Sequence, residues 1–123
     1  MFVDPIPVTA NGAIHGALSL AMIQTDGFGS KRYDSTNGLD LMFNHVRGLG
    51  KSPDRHYMQL SKTIVATNPY TSLNQTQTLS ASISVTVPPF GFTETEVTNH
   101  IQTLLDILAD ADVTQAQFIR FNS

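Results

Sequence analysis

The sequence has no cysteine, and only 14% of its 123 residues are charged. Without cysteine, disulfides and thiolate metal sites are excluded. No apolar run reaches the roughly 18 residues that a membrane-spanning helix needs. The first residues also lack the basic-then-apolar pattern of a secretion signal. These absences favour a protein that is made and used in a cytoplasm.

The charged residues are sorted along the chain. The formal net charge is −3, which argues against a generic polyanion binder. Residues 31–62 nevertheless hold six of the seven basic residues and three acids, for a net charge of +3, whereas residues 91–123 have a net charge of −4. Segregation of this kind bears on surfaces and partners rather than on fold.

Residues 78–87 alternate between apolar and hydroxyl side chains without interruption. A period of two places successive side chains on opposite faces of a strand. Residues 55–66 repeat the division less cleanly, with Lys62 breaking the apolar side. We predict two long strands whose sheet has one covered face and one face in water or against a polar partner. The apolar positions are His56, Met58, Leu60, Ile64, Leu79, Ala81, Ile83, Val85 and Val87.

Turn-forming residues recur every 10–15 positions in the first half of the chain. This spacing predicts an antiparallel meander with strands in residues 3–10, 15–25, 28–33 and 39–48. Pro5 and Pro7 confine the first strand to a sheet edge. Residues 15–25 would also suit a helix, but the turn signal Asp26-Gly27 favours a strand.

The pattern changes to helical spacing after residue 92. Thr93 and Glu96 form a capping-box pattern that starts a helix ending near residues 109–112, and a short second helix is predicted for residues 114–119. One helix of about 16 residues is roughly 24 Å long and covers two or three strands. We therefore predict an α+β fold that needs a second copy to cover its sheet. The apolar helix face is Val97, Ile101, Leu104, Leu105 and Leu108.

The run SASISVTVPPFGFTETEVTNHIQTLLDIL, preceded by RHYMQLSKTIVATNPYT, resembles the coat proteins of the small single-stranded RNA bacteriophages, the leviviruses. The order of elements is also similar to that family. The resemblance implies a single coat-protein domain over residues 1–123. Residues 1–27 would form an N-terminal hairpin, residues 28–89 the main antiparallel sheet and residues 93–120 the C-terminal helices.

The resemblance also implies a function. It suggests a homodimer with a continuous sheet and interlocked helices, which assembles into an icosahedral shell around single-stranded viral RNA. It further implies binding of an RNA hairpin as a translational repressor, and a genome-bound maturation protein as partner. The protein would then belong to the virion, assembled in the cytoplasm of the bacterial host, and would be structural rather than an enzyme.

Site residues follow from the resemblance by strand position. Better-known family members carry more lysine and aromatic side chains on the inner face, where this chain has hydroxyls, so non-specific contact with the genome is the safer expectation. The RNA contacts would be Lys31, Arg32, Asn44, Arg47 (or His45), Tyr57, Gln59, Ser61, Ser80 and Ser82. The loop between dimers would be Thr67, Asn68, Pro69, Tyr70, Thr71, Ser72, Leu73, Asn74 and Gln75.

Other interpretations stay open at this stage. The hydroxyl ladder is equally consistent with a solvated strand face, or with a dimeric module that binds a small ligand or peptide. The four histidines share no ligand spacing such as i, i+4, so neither a metal site nor a cofactor is predicted. No nucleophile or phosphate-loop motif supports an enzyme.

Overall fold

The computed structural model describes residues 2–12, 14–26, 29–110 and 112–120. Its order of elements is six strands followed by two helices, which confirms the predicted α+β fold. Residue 27, in the predicted turn, and residue 28, at the start of the third predicted strand, lie outside the described residues. The elements are β1 (Ile6–Val8), β2 (Leu18–Asp26), β3 (Gly29–Asp34), β4 (Leu39–Val46), β5 (Asp54–Thr67), β6 (Asn74–Val87), α1 (Glu94–Ala109) and α2 (Gln115–Ile119).

The strands form one antiparallel sheet in sequence order, β1 to β6. β1 lies at the edge of the sheet, as predicted from Pro5 and Pro7. Proline has no backbone N–H, so it cannot complete the hydrogen bonds that a central strand makes on both sides. β2 is a strand rather than the alternative helix, and an irregularity between Met22 and Gln24 shifts its register with β3. Since β2 pairs with both β1 and β3, the N-terminal hairpin is continuous with the main sheet.

β5 and β6 pair over their whole length. The register runs from Asp54 opposite Val87 to Thr67 opposite Asn74 without a shift. Met58 faces Ile83 and Leu60 faces Ala81, whereas Gln59 faces Ser82 and Ser61 faces Ser80. Over residues 57–61 of β5, apolar side chains therefore meet apolar ones on one face, and polar side chains meet polar ones on the other. The predicted division is confirmed there, whereas Lys62 faces Leu79 and Ile64 faces Gln77.

The core lies on the apolar face of β2, β3 and β4. Leu20 is only 3% exposed and Leu41 is also buried. Two charged residues, Arg32 and Asp34, share this face because they alternate with Tyr33 along β3. Burying a charge is costly unless it is paired and hydrogen-bonded, so each must have partners.

Arg32 is 1% exposed and holds the N-terminal segment, residues 2–5, against the sheet. Its guanidinium donates to the carbonyl oxygens of Val3 at 2.7 Å and Phe2 at 3.2 Å, and its Nη1 lies 3.8 Å from the Asp4 carboxylate. Phe2 packs on Phe43 of β4, with 4.9 Å between ring centroids. The N-terminal segment thus covers the apolar face next to β2, β3 and β4.

Asp34 closes the turn between β3 and β4. Its carboxylate accepts hydrogen bonds from the backbone N–H groups of Ser19 at 2.8 Å, Thr36 at 2.9 Å and Asn37 at 3.0 Å. The bond from Ser19, and after it those from Asn37 and Thr36, lower the pKa of Asp34 below 3.8, because they favour the charged carboxylate. The Asp34 carboxylate thereby links the start of β2 to the turn between β3 and β4.

The capping box predicted for α1 is present. Thr93 Oγ1 accepts from the N–H of Glu96 at 3.2 Å, and Glu96 Oε2 accepts from the N–H of Thr93 at 3.3 Å. Among the described residues, no side chain of α1 is buried within this one chain, and no helix is long and apolar enough to cross a membrane. The apolar stripe of α1 is therefore left without a full partner.

Candidate nucleic-acid interface

The polar face of the sheet gathers most of the residues predicted to contact RNA. The register forms three cross-strand rows, each running from β4 over β5 to β6. The central row continues to β3, because Lys31 lies opposite Met42. Seven of the residues predicted to contact RNA thus share one surface, which we call the polar face. They are Lys31, Asn44, Tyr57, Gln59, Ser61, Ser80 and Ser82. The rows are Asn44–Tyr57–Ser84, Met42–Gln59–Ser82 and Asp40–Ser61–Ser80.

Arg32 does not belong to this surface. It neighbours Lys31 in the sequence, but successive residues of a strand point to opposite faces. Its guanidinium is buried on the apolar face and bonded to Val3 and Phe2. The expectation that Lys31 and Arg32 act together on RNA therefore does not carry over to the folded chain.

Two further arginines lie near the end of the sheet. Arg47 follows the last residue of β4, is exposed and takes part in an interaction within the chain. Arg55 lies on the polar face, directly opposite Val46 on β4 and Thr86 on β6. Arg55 was not among the predicted RNA contacts, although its parity with Tyr57 and Gln59 would have placed it on this face.

The polar face is only weakly basic. Lys31 and Arg55 are its cations within β3 to β6, and Asp40 adds one negative charge. A shallow hollow of about 210 Å³ lies beside Lys31, lined by residues that include Gln24, Met42 and Asn44. Around it the surface offers hydroxyl and amide groups, which donate and accept hydrogen bonds without adding charge.

The loop predicted to lie between dimers is shorter than expected. Thr67, Asn74 and Gln75 belong to the strands, and the connection itself is residues 68–73. Asn68 donates its N–H to the carbonyl of Leu73 at 2.8 Å, and its Oδ1 accepts from the N–H of Tyr70 at 2.8 Å. The Tyr70 side chain is almost fully exposed at the tip.

The apolar face opposite the polar face is open along β5 and β6. Met58, Leu60 and Ile64 are all exposed there, and Leu79 is 75% exposed. Between the last residues of β6 and α1 lies a groove of about 640 Å³. Its helical wall includes Ile101, Leu104 and Leu105. Both walls are largely apolar, with Thr86 and Glu96 among their polar residues, and the described residues do not fill the space between them.

The architecture matches solved structures of RNA-phage coat proteins. The chain superposes on the structure titled "Virus-like particle of bacteriophage AVE019" with a TM-score of 0.81 and 16% identity, covering 100% of this chain and 99% of that one. It matches the particle of Beihai levi-like virus 21 with a TM-score of 0.59 and 14% identity, over 100% and 98% of the chains. The bacteriophage GA capsid protein gives 0.59 and 14%, over 98% and 95%. The fold is that of an RNA-phage coat protein.

The family is defined by sequence. The family model described as "Phage phiCb5, coat protein" matches residues 3–86, which is more than half of the chain. The chain therefore belongs to the phage phiCb5 coat protein family. No curated protein matches it. As a member of this family it is a structural coat protein and not an enzyme.

Proposed function

We propose that this coat protein forms homodimers that assemble into an icosahedral shell, with the polar face turned inward to single-stranded genomic RNA. One observation carries the proposal: the sheet has an apolar face that the chain leaves open over β5 and β6, and a polar face that holds hydroxyls, amides and few charges. The first face requires a protein partner, and the second suits a nucleic acid.

The open apolar face supports a second copy as the partner. α1 has 16 residues and carries an apolar stripe that its own sheet leaves exposed, with Leu104 at 52%. If the helices of two chains exchange, each stripe covers the β5–β6 part of the other sheet. Burial of apolar surface then stabilises the dimer by about 25 cal/mol per Å².

The edge of the sheet supports the same arrangement. β6 is the last strand in the order, so one side of its 14 residues has no neighbouring strand among the residues that the structure describes. Long uncovered edges are templates for pairing with another chain. We infer that β6 pairs with β6 of the second copy, because this extends the sheet and brings each α1 over its partner.

The polar face supports contact with RNA. Its serine and threonine hydroxyls can bond phosphate and 2′-hydroxyl groups, and Lys31 supplies a cation. Tyr57 lies in the row with Asn44 and Ser84, and there its ring would stack on a base, a contact worth about 1–3 kcal/mol. With so little charge, affinity rests on many hydrogen bonds, and a hairpin that represses translation would be recognised chiefly through Tyr57, Asn44 and Gln59.

The remaining parts of the proposal concern assembly. Residues 67–75 lie at the far end of the longest hairpin, where neighbouring dimers would meet around symmetry axes. Assembly would take place in the cytoplasm of the bacterial host. A maturation protein bound to the genome would join the shell there.

The test is expression of the full chain alone, followed by electron microscopy, size exclusion and the ratio of absorbance at 260 and 280 nm. We expect closed particles that contain RNA. In particles of Lys31→Ala the RNA content should fall, and the salt dependence of RNA binding by the dimer should weaken by about 0.7 in log–log slope per lost contact. The matched control is Lys51→Ala, which removes the same charge from the exposed turn after β4.

Each part of the proposal can fail separately. A monomer or a lone dimer under all assembly conditions would contradict the shell. Particles free of nucleic acid would contradict RNA packaging. Equal RNA content in Lys31→Ala and Lys51→Ala would show that the polar face does not contact the genome at Lys31.

A further inference from the structure

His45 and His56 lie directly opposite each other on β4 and β5. Their Nδ1 atoms are 2.9 Å apart, and their rings meet edge to face with 5.1 Å between centroids. Eleven positions separate them in the sequence, so no ligand spacing reveals the pair. The strand register alone brings the two imidazoles together, and it fixes both backbones.

The distance between the two nitrogens fits a shared cation. One Nδ1–H can donate to the other Nδ1, which then presents its lone pair, so the pair holds one hydrogen between two basic nitrogens. An imidazole nitrogen binds Zn²⁺, a cation of similar size to Cu²⁺ and Ni²⁺, at about 2.0–2.1 Å. Two such bonds at a right angle place the nitrogens about 2.9 Å apart, and a tetrahedral angle requires about 3.3 Å. The observed spacing thus suits the right-angle geometry that Cu²⁺ and Ni²⁺ favour.

The surroundings permit a cation. Asp54 lies on the same side of β5 as His56 and contributes a negative charge, while its Oδ1 accepts from the N–H of Gly48 at 2.7 Å. Arg55, between them, points to the other face. Next to the pair is the turn of residues 47–53, most of which is exposed and gives access from solvent. Within the described residues no third histidine or carboxylate completes a cluster, so water would fill the other positions.

We propose that His45 and His56 form a two-imidazole site for a divalent transition-metal cation of the copper and nickel class. When the cation binds, the ring that carried its hydrogen on Nδ1 carries it on Nε2 instead, by exchange with solvent, so both rings stay neutral and both Nδ1 lone pairs are available. The cation then joins β4 to β5 by a link outside the backbone ladder. Metal ligation requires both imidazoles in their neutral form, so the cation competes with protons for the two nitrogens. The site is separate from the polar face, and it does not depend on RNA.

The test uses the untagged full chain, freed of metal by a chelator that is then removed. Cu²⁺ and Ni²⁺ should raise the midpoint of thermal unfolding, with Cu²⁺ the stronger, and Mg²⁺ should have no effect. Electron paramagnetic resonance of one equivalent of Cu²⁺ should show coupling to two imidazole nitrogens. The shift should disappear in His56→Gln and in His45→Gln. It should persist in His15→Gln, whose ring bonds instead to the carbonyl of Gly16 at 2.7 Å.

Two results would overturn the site. The first is a wild-type chain whose unfolding midpoint does not change when Cu²⁺ is added and whose Cu²⁺ spectrum is that of the free ion in buffer. The pair would then be a hydrogen bond only. The second is a metal shift that survives in both His56→Gln and His45→Gln. Because the spectrum is recorded on the wild-type chain, the test remains decisive even if a variant folds poorly.

Discussion

The apolar face of the sheet is covered by the chain itself in one region and is exposed in another. Over β2, β3 and β4 the chain covers itself: Leu20 and Leu41 are buried, and residues 2–5 lie over Arg32. Over β5 and β6 the same face is open, and Leu79 is 75% exposed. The contrast separates the interactions that fold one chain from those that await a partner.

The two parts also differ in chemistry. The self-covered part contains two buried charges whose hydrogen bonds link segments far apart in the sequence. The open part contains mostly aliphatic side chains, with Asp54 and Lys62 as its charged members on β5. Hydrogen-bonded charges require fixed partners, whereas an aliphatic surface accepts any apolar surface of matching shape. The first part therefore specifies the fold of the chain, and the second specifies association.

The largest expected effect comes from placing a charge on the open side. Leu104→Asp should abolish soluble assembly, because a carboxylate would be buried in the seam between α1 and the partner sheet. Size exclusion and electron microscopy measure the result. Asn99→Asp, which adds the same charge at an exposed position on α1, is the control and should assemble normally. Normal particles from Leu104→Asp would mean that another face of α1 meets the sheet.

A smaller effect is expected from the self-covered part. Leu20→Ala should lower the free energy of unfolding by about 2–5 kcal/mol, because Leu20 is 3% exposed and its loss leaves a cavity. Leu73→Ala makes the same change in an exposed loop position and should cost less than about 0.5 kcal/mol. Denaturant unfolding compares the two. Equal costs would show that Leu20 does not belong to a packed core.

The smallest effect is confined to acid pH and concerns Asp34. Its pKa is lowered in the folded state by the N–H groups of Ser19 and Asn37, so the stability it contributes is complete above about pH 4 and is lost as the pH falls through the lowered pKa. Asp34→Asn should flatten this part of the stability profile, measured by unfolding at a series of pH values. Asp40→Asn, at an exposed position on β4, should leave it unchanged.

Much of this architecture could be predicted because the pattern of β5 and β6 is local. Alternation of apolar and hydroxyl residues sets the two faces before any pairing is known, and Thr93 with Glu96 marks the start of α1. The shared face of Tyr57, Gln59 and Ser61, which we propose to face RNA, follows from the same parity. Their grouping on one surface was therefore accessible from the sequence.

The burial of Arg32 could not be predicted from the sequence pattern in this way. A charged residue next to Lys31 suggests a basic surface, and its partners Phe2 and Val3 are about 30 positions away. Those partners are backbone carbonyls, which every residue carries, so no side-chain pattern identifies them. The same limit applies to His45 and His56, because only the register between two strands makes them neighbours.

The unbroken β5–β6 ladder also has a mechanical consequence. β4 supports β5 only as far as Lys62, so residues 63–67 and 74–78 form a two-stranded ribbon about 17 Å long beyond the sheet. Cross-strand hydrogen bonds join Thr63 to Thr78 and Thr67 to Asn74. An isolated two-stranded ribbon is marginally stable in water. The sheet therefore supports this hairpin only at one end, at Lys62. Contacts at the other end would fix the direction in which the hairpin points.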